Sequence, residues 1–247
     1  MEIRIYLGFG ILNLGFAMKY HIEFDIELRQ NPYKGLYIAL EGVDGSGKTT
    51  QSDRLIKYFE KKGQSVLQVR EPRKEGLIGD IVHKVLTGKI KMSPVALQYL
   101  FSTDRVLNHE EVIIPALKSG KVVISDRCFW SAIVYGILDR VKGRYNFENA
   151  DFLLIAHSIL SMYHRFIVPD YTFYLKISLA TAMDRISGKD DFKEIYEDRE
   201  KLKQLIVGYD WLAKKFSKEI TVVEGEKKVG EVTGEIVELL RLPKLPR

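Results

Sequence analysis

Residues 42 to 49 read Gly-Val-Asp-Gly-Ser-Gly-Lys-Thr, directly after the apolar run Leu36 to Leu40 and directly before a helix-like stretch. Gly42, Gly47, Lys48 and Thr49 satisfy the spacing G-x-x-x-x-G-K-[ST] of a phosphate loop, in the strand–turn–helix setting that motif requires. Few features limit a fold so strongly. The glycines let the backbone curl so that N–H groups from Gly42, Val43, Asp44, Gly45, Ser46 and Gly47 onward turn inward toward phosphate oxygens, and the helix opening at Lys48, Thr49 and Thr50 adds the partial positive charge of its N-terminus. Lys48 is expected to bridge the outer phosphates of a nucleotide and the Thr49 hydroxyl to ligate magnesium.

A strand end feeding a helix start implies an α/β chain, and the remaining sequence repeats that alternation. "LYIAL", "SVLQV", "KVVISD", "YTFYLKI" and "EITVV" are five short β-rich runs, separated by segments long enough for crossover helices. The pattern predicts a parallel sheet covered by helices on both faces. Ser93-Pro94 reads as an N-cap with proline at the first helical position, Gly120 as the stop of that long helix, and Ser178 as the cap of "LATAMDRI". With 46% hydrophobic residues in 247, and no repeat or Pro/Ser-rich linker, residues 35–247 are expected to form one domain.

Residues 1–34 stand apart as an N-terminal extension. "IYLGFGILNLGFA" is apolar over a signal-core length, but only Arg4 precedes it and no small-x-small cleavage site follows, so secretion is not expected. "KYHIEFDIEL" alternates strictly, with Tyr20, Ile22, Phe24, Ile26 and Leu28 on one face. Two readings stay open: a start upstream of a natural beginning at Met18, or a short strand or hairpin added before the main fold. Asn31-Pro32 is the expected turn into that fold.

Charge and cysteine content restrict partners and compartment. The net charge of +5 comes from 38 basic and 33 acidic residues without a basic tract, which suits phosphorylated small molecules and gives no reason to expect nucleic-acid binding. The single cysteine, Cys128, forms no internal disulfide and fits a reducing, cytoplasmic setting. No run approaches the roughly 18 apolar residues of a membrane span.

ATPases, GTPases, kinases and motors share the phosphate loop, so neighbouring residues must discriminate. "VVISDR" places Asp126 at the end of a buried strand, where a carboxylate can hold a magnesium shell beside the loop, and Arg127 follows at once. The absence of an N-K-x-D-like segment disfavours a GTPase.

Four stretches in order, "EGVDGSGKTT", "REP" at Arg70 to Pro72, "LFSTDR" at Leu100 to Arg105 and "DRCFWSAIVY" at Asp126 to Tyr135, make the chain from Leu36 to about Leu240 resemble the thymidylate kinase family. These P-loop nucleoside monophosphate kinases make dTDP from dTMP with ATP. The resemblance implies a three-layer P-loop fold with a five-stranded parallel sheet and a mobile lid, magnesium dependence and a homodimer. It also implies a dTMP site made of Asp44, Glu71, Pro72, Phe101, Arg105, Arg127, Ser131 and Tyr135. Phe101 and Arg105, four apart on a predicted helix, share a face. By the resemblance, Phe101 stacks on thymine and Arg105 contacts the nucleotide. Arg127 grips the acceptor phosphate, where a planar fork suits bidentate contact. Asp44 meets the 3′-hydroxyl or the magnesium-bound water, Tyr135 occupies the place of a ribose 2′-hydroxyl, and Ser131 lines the base.

Such a reaction needs alignment and cations more than a general base, because a phosphate monoester is already mostly dianionic at neutral pH. The loop offers no cation before Lys48, so the lid stretch "DRISGKDDFKEIYEDR" must contribute; Arg185 and Lys189 lead Lys193 and Arg199 as candidates. Tyr196-Glu197 resembles a pair that follows the family's lid near the acceptor sugar. The chain departs from the family's pattern at Cys128, where tyrosine or histidine is usual and whose smaller side chain leaves a gap or draws in Trp130. It departs again at Arg73, Lys74 and Glu75, which replace Gly-Gly-Thr. "RVKGRYNFENADFLLIAHSILSMYHR" before Pro169 reads as a helix whose Met162 serves core or dimer contact. Three alternatives remain: another nucleoside monophosphate kinase, a deoxynucleoside kinase with Glu71 as base, and a regulatory P-loop ATPase.

Overall fold

The structure is a computed structural model that describes residues 4–6, 21–23, 27–140, 163, 166–188, 196 and 198–241. Two short strands, β1 (Arg4–Tyr6) and β2 (His21–Glu23), pair antiparallel with Ile5 opposite Ile22. The main sheet follows with β3 (Leu36–Glu41), β4 (Val66–Arg70), β5 (Val122–Asp126), β6 (Tyr171–Lys176) and β7 (Ile220–Glu224), arranged β4-β5-β3-β6-β7 with every pairing parallel. Between and after the strands run α1 (Lys48–Lys61), α2 (Leu77–Leu86), α3 (Pro94–Asn108), α4 (Ile114–Lys118), α5 (Phe129–Arg140), α6 (Leu179–Ser187), α7 (Arg199–Lys215) and α8 (Val229–Leu239).

Strand residues alternate between two apolar layers, as pleated backbone requires. Ile38, Leu40, Ile124, Phe173 and Leu175 pack against Leu55 and Phe59 of α1 and Val232 and Ile236 of α8. Ala39 and Tyr174 face the opposite side, where α2, α3, α5 and α7 contribute Val82, Leu97, Ile133 and Leu205. Each fully buried Leu, Ile or Phe contributes roughly 1.5–3 kcal/mol, so a sheet covered twice is a rigid support for the loops at its carboxyl edge. Ligands of open parallel sheets bind along that edge.

The helix boundaries follow local chemistry. Ser93 Oγ accepts from the Ala96 N–H at 3.3 Å, with Pro94 next, and Ser178 Oγ accepts from the Thr181 N–H at 3.2 Å. Gly120 closes its helix with φ 82°. The single long helix expected between Ser93 and Gly120 is instead widened into a π-turn at His109–Ile113. Pro115 explains the widening, since it has no N–H to donate and its ring crowds the carbonyl four residues back. The helix expected before Pro169, with Met162, falls on residues 141–162 and 164–165, which lie outside the described residues.

Candidate active site

The phosphate loop leaves β3 with three left-handed or strained glycines, Gly42 at φ 143°, Gly45 at φ 81° and Gly47 at φ 95°. A Cβ on Gly42 would lie 2.9 Å from the Leu175 carbonyl oxygen, so glycine is required there for close approach as well as for φ. Asp44, Gly45, Ser46, Gly47, Lys48, Thr49 and Thr50 line a cavity of about 400 Å³, whereas the expected Gly42 and Val43 do not line it. Their carbonyls accept from Lys48 Nζ at 3.0 and 2.9 Å. Burial, reinforced by Arg127, pushes the Lys48 ammonium down to about 8. Buried Ser46 Oγ has no hydrogen-bond partner among the described residues, as expected of a group reserved for a ligand.

Thr49 stands at the first turn of α1 and Asp126 at the end of β5, yet the Thr49 hydroxyl donates to Asp126 Oδ2 at 2.7 Å. The adjacent pairing of β3 and β5 brings them together across 77 residues. A hydroxyl and a carboxylate beside an open cavity suit Mg²⁺, which takes one or two protein oxygens and completes its shell with water and phosphate. Among the described residues no larger cluster of His, Cys, Asp or Glu forms a metal cage. Arg185 lines the same cavity, donating from Nη1 to the Gly45 carbonyl at 3.1 Å and from Nη2 to the Gly225 carbonyl at 3.2 Å. It therefore lies on the phosphate-loop side. Of the other lid candidates, Lys189 and Lys193 fall outside the described residues, as does Glu197, while Arg199 is exposed at the start of α7 and lines neither this cavity nor the second one.

A second, narrower cavity shares Asp44 with the first. Glu71, Pro72, Phe101, Arg105, Arg127, Ser131 and Tyr135 line it, so the structure brings together all the residues expected for the acceptor nucleotide. Tyr196 joins them, its ring edge-on to Tyr135 at 4.9 Å. Arg127 Nη2 donates to Asp44 Oδ1 at 2.7 Å and Nη1 to the Gly42 carbonyl at 3.0 Å, fastening a buried guanidinium to the phosphate loop. Its Cζ lies 5.1 Å from the centre of the Tyr135 ring. The buried Tyr135 hydroxyl has no hydrogen-bond partner among the described residues, and burial raises its pKa, so it stays a neutral group at the cavity wall. On the α3 side, Arg105 Nε donates to Glu71 Oε2 at 2.7 Å with both residues buried. Burial lifts the Glu71 carboxyl to about 7 against the opposing pull of Arg105.

Some participants were not singled out from sequence. Glu41, 1% exposed, accepts from the Cys128 N–H at 2.9 Å, the Ser131 N–H at 3.2 Å, the Ser131 hydroxyl at 2.6 Å and the Tyr209 hydroxyl at 2.9 Å. It thereby ties the start of α5 to the end of β3. Tyr209, from the middle of α7, also receives Arg127 Nη1 at 3.1 Å. Arg70 lines the phosphate-loop cavity, and its β4 position is in register with Asp126, a relation readable only once the strand order is known. Lys227 and Val229 complete that wall from the β7–α8 turn.

The side chains at the two departures, Cys128 and Arg73, each meet a carboxylate. Cys128 does not line the acceptor cavity: its fully buried thiol sits 3.3 Å from Glu41 Oε1, and burial pushes its pKa up. Trp130 packs in the same apolar cluster, against Phe129 and Phe216 at centroid distances of 4.6 and 4.7 Å. Arg73 is engaged by Asp104, which accepts from its Nε at 2.8 Å and its backbone N–H at 2.9 Å; this side chain latches the "REP" turn to α3. Among the described residues no helix is long and apolar enough to cross a membrane.

Comparison with known proteins gives a consistent result. Residues 40–236 match the family model described as thymidylate kinase. A probable thymidylate kinase of Thermococcus gammatolerans is 32% identical in an alignment of 217 residues that covers 83% of this chain and 96% of that protein. A thymidylate kinase of Thermoanaerobacter sp. is 32% identical over 84% of this chain and 98% of its own length. Among solved structures, the thymidylate kinase of Candida albicans, reported to have broad substrate specificity, superposes with a TM-score of 0.69 at 25% identity, covering 83% of this chain and 91% of that one.

Proposed function

The chain belongs to the thymidylate kinase family, and from that premise we propose that it transfers the γ-phosphoryl group of ATP to the 5′-phosphate of dTMP, giving dTDP and ADP. The observation that carries the proposal is the meeting of two cavities at Asp44, one lined by the phosphate loop and the other by Phe101, Arg105 and Arg127. ATP would occupy the first and dTMP the second, phosphate toward phosphate.

An acceptor phosphate with a second pKa of about 6 is already mostly dianionic at neutral pH, so no residue need remove a proton from it. The protein must instead hold two polyanions in line and cancel their repulsion. Lys48 would swing from the Gly42 and Val43 carbonyls to the outer phosphates of ATP, and Arg127 would offer its fork to the acceptor phosphate. Arg185, bonded to the loop on the donor side, supports the ATP position. Magnesium, held through Thr49 and Asp126, would supply further neutralisation of the transferring phosphates. Phe101 and Arg105 give the base a ring face and a donor. Tyr135 closes the sugar end against a 2′-hydroxyl. A homodimer acting in the cytoplasm belongs to the same reading through the family resemblance.

The test is incubation of the purified chain with ATP, magnesium and a panel of deoxynucleosides and nucleoside monophosphates, with products separated chromatographically. Formation of dTDP is the expected result. Phosphorylation of free deoxynucleosides, or ATP loss independent of any acceptor, would replace the proposal.

A further inference from the structure

Tyr163 enters the molecule from the segment before Pro169, outside all four motif stretches, and is 1% exposed. Its ring rests edge-on against Phe166 at 5.1 Å and tilted against Phe129 at 6.1 Å. Its hydroxyl lies 2.7 Å from Ser102 Oγ and 3.4 Å from Arg105 Nη1. Ser102 has one hydroxyl hydrogen and donates it to the Gln98 carbonyl at 2.7 Å. Toward Tyr163 it must therefore accept, so the Tyr163 hydrogen points to Ser102. What the phenol turns to Arg105 is a lone pair, which is what a guanidinium needs.

Arg105 is thus fixed from two sides, at Nε by the Glu71 carboxylate and at Nη1 by the Tyr163 oxygen, while its Cζ lies 5.7 Å from both the Phe101 and Tyr163 ring centres. Nη2 has no hydrogen bond among the described residues, and Arg105 lines the acceptor cavity. One bond at Nε would leave the guanidinium plane able to swing. Two bonds along adjoining edges hold it. We infer that Tyr163 is a positioning residue for acceptor binding, setting the plane of Arg105 at the base end of the cavity through the Ser102–Tyr163–Arg105 hydrogen-bond chain.

This inference rests on the reading of the second cavity as a dTMP site, and its test separates the two. Tyr163→Phe keeps the ring contacts and removes only the oxygen. For wild type and variant, the inhibition or dissociation constants of dTMP and of 2-deoxyribose 5-phosphate, which has the sugar and phosphate but no base, are to be measured along with the ATP constant. The variant should bind dTMP about fivefold more weakly, the effect of one modest hydrogen bond. Its affinities for the abasic compound and for ATP should be unchanged. Ser102→Ala, which releases the Tyr163 hydrogen, should shift the dTMP constant in the same direction by less. Equal weakening for dTMP and the abasic compound would reveal a merely structural role and overturn the inference, as would no weakening at all. Failure of the wild-type chain to form dTDP from dTMP would instead overturn the underlying reading, and this inference with it.

Discussion

Arg127 combines two features that are costly alone. It is the one non-glycine residue with positive φ among those described, at 73°, and its guanidinium is buried. A left-handed backbone costs a residue with a Cβ about 1–2 kcal/mol. The Asp44 carboxylate, the Gly42 carbonyl and Tyr209 offset that strain and fix the guanidinium, which under the proposed function would meet the acceptor phosphate. Two variants separate strain from charge. Arg127→Ala and Arg127→Gly should both lose about 100-fold in kcat/KM for dTMP, the loss of a buried charged hydrogen-bond donor, with the ATP constant nearly unchanged. Arg127→Gly should nonetheless be the more stable of the two by about 1 kcal/mol in denaturant unfolding, because glycine accepts the backbone without strain. Equal losses for ATP and dTMP would remove Arg127 from the acceptor site. Lys48 gives a pH-dependent counterpart. Its pKa of about 8 in the free protein means that roughly half the sites are neutral at pH 8, whereas contact with nucleotide phosphates must raise the value. Binding of ATP at pH 8 should take up about half a proton, and almost none at pH 6.5, as read from titration calorimetry in buffers of different ionisation enthalpy. Lys48→Met should abolish the uptake.

The phosphate loop as an element depends on its glycines for different reasons. A Cβ at Gly42 meets the Leu175 carbonyl, whereas one at Gly47 finds nothing within 4 Å. In the absence of nucleotide, Gly47→Ala should cost only the backbone penalty of about 1–2 kcal/mol, and Gly42→Ala clearly more, because β6 or the loop must move. Thermal unfolding of the two variants would show the difference, and equal midpoints would contradict the geometry. Elements of this kind were legible in the sequence because their causes are local: the loop spacing, the Ser93 and Ser178 caps and the Gly120 stop are each decided within a few residues. Glu41 was not legible. Its partners lie 87, 90 and 168 positions away, and only the assembled turn between β5 and α5 makes a buried carboxylate there sensible. Glu41→Gln puts an amide where four donors converge, and should destabilise the fold by about 2–4 kcal/mol, measured by chemical denaturation.

For the whole molecule, the decisive fact is strand order. Five apolar runs separated by crossovers announce a doubly covered parallel sheet, but their linear spacing does not say which strands touch. Placing β5 beside β3 puts Asp126 against Thr49 and Arg127 against Asp44. Placing β4 beyond β5 carries Glu71 and Pro72 to the second cavity. The residues of that cavity could be named beforehand through motifs resembling those of the family, and Asp104 lies inside one of these motifs, whereas the supporting contacts of Tyr209 and Tyr163 come from outside the four stretches, with no signature of their own. The resulting arrangement joins two cavities at Asp44, and under the proposed function nucleotides would meet end to end there among Lys48, Arg127 and Arg185. A single ligand can test that continuity: adenosine and deoxythymidine joined 5′ to 5′ through five phosphates. It should compete with both ATP and dTMP and bind at least about 100-fold more tightly than either, since the second half binds intramolecularly. Affinity no better than that of ATP alone, or competition with only one nucleotide, would contradict the account.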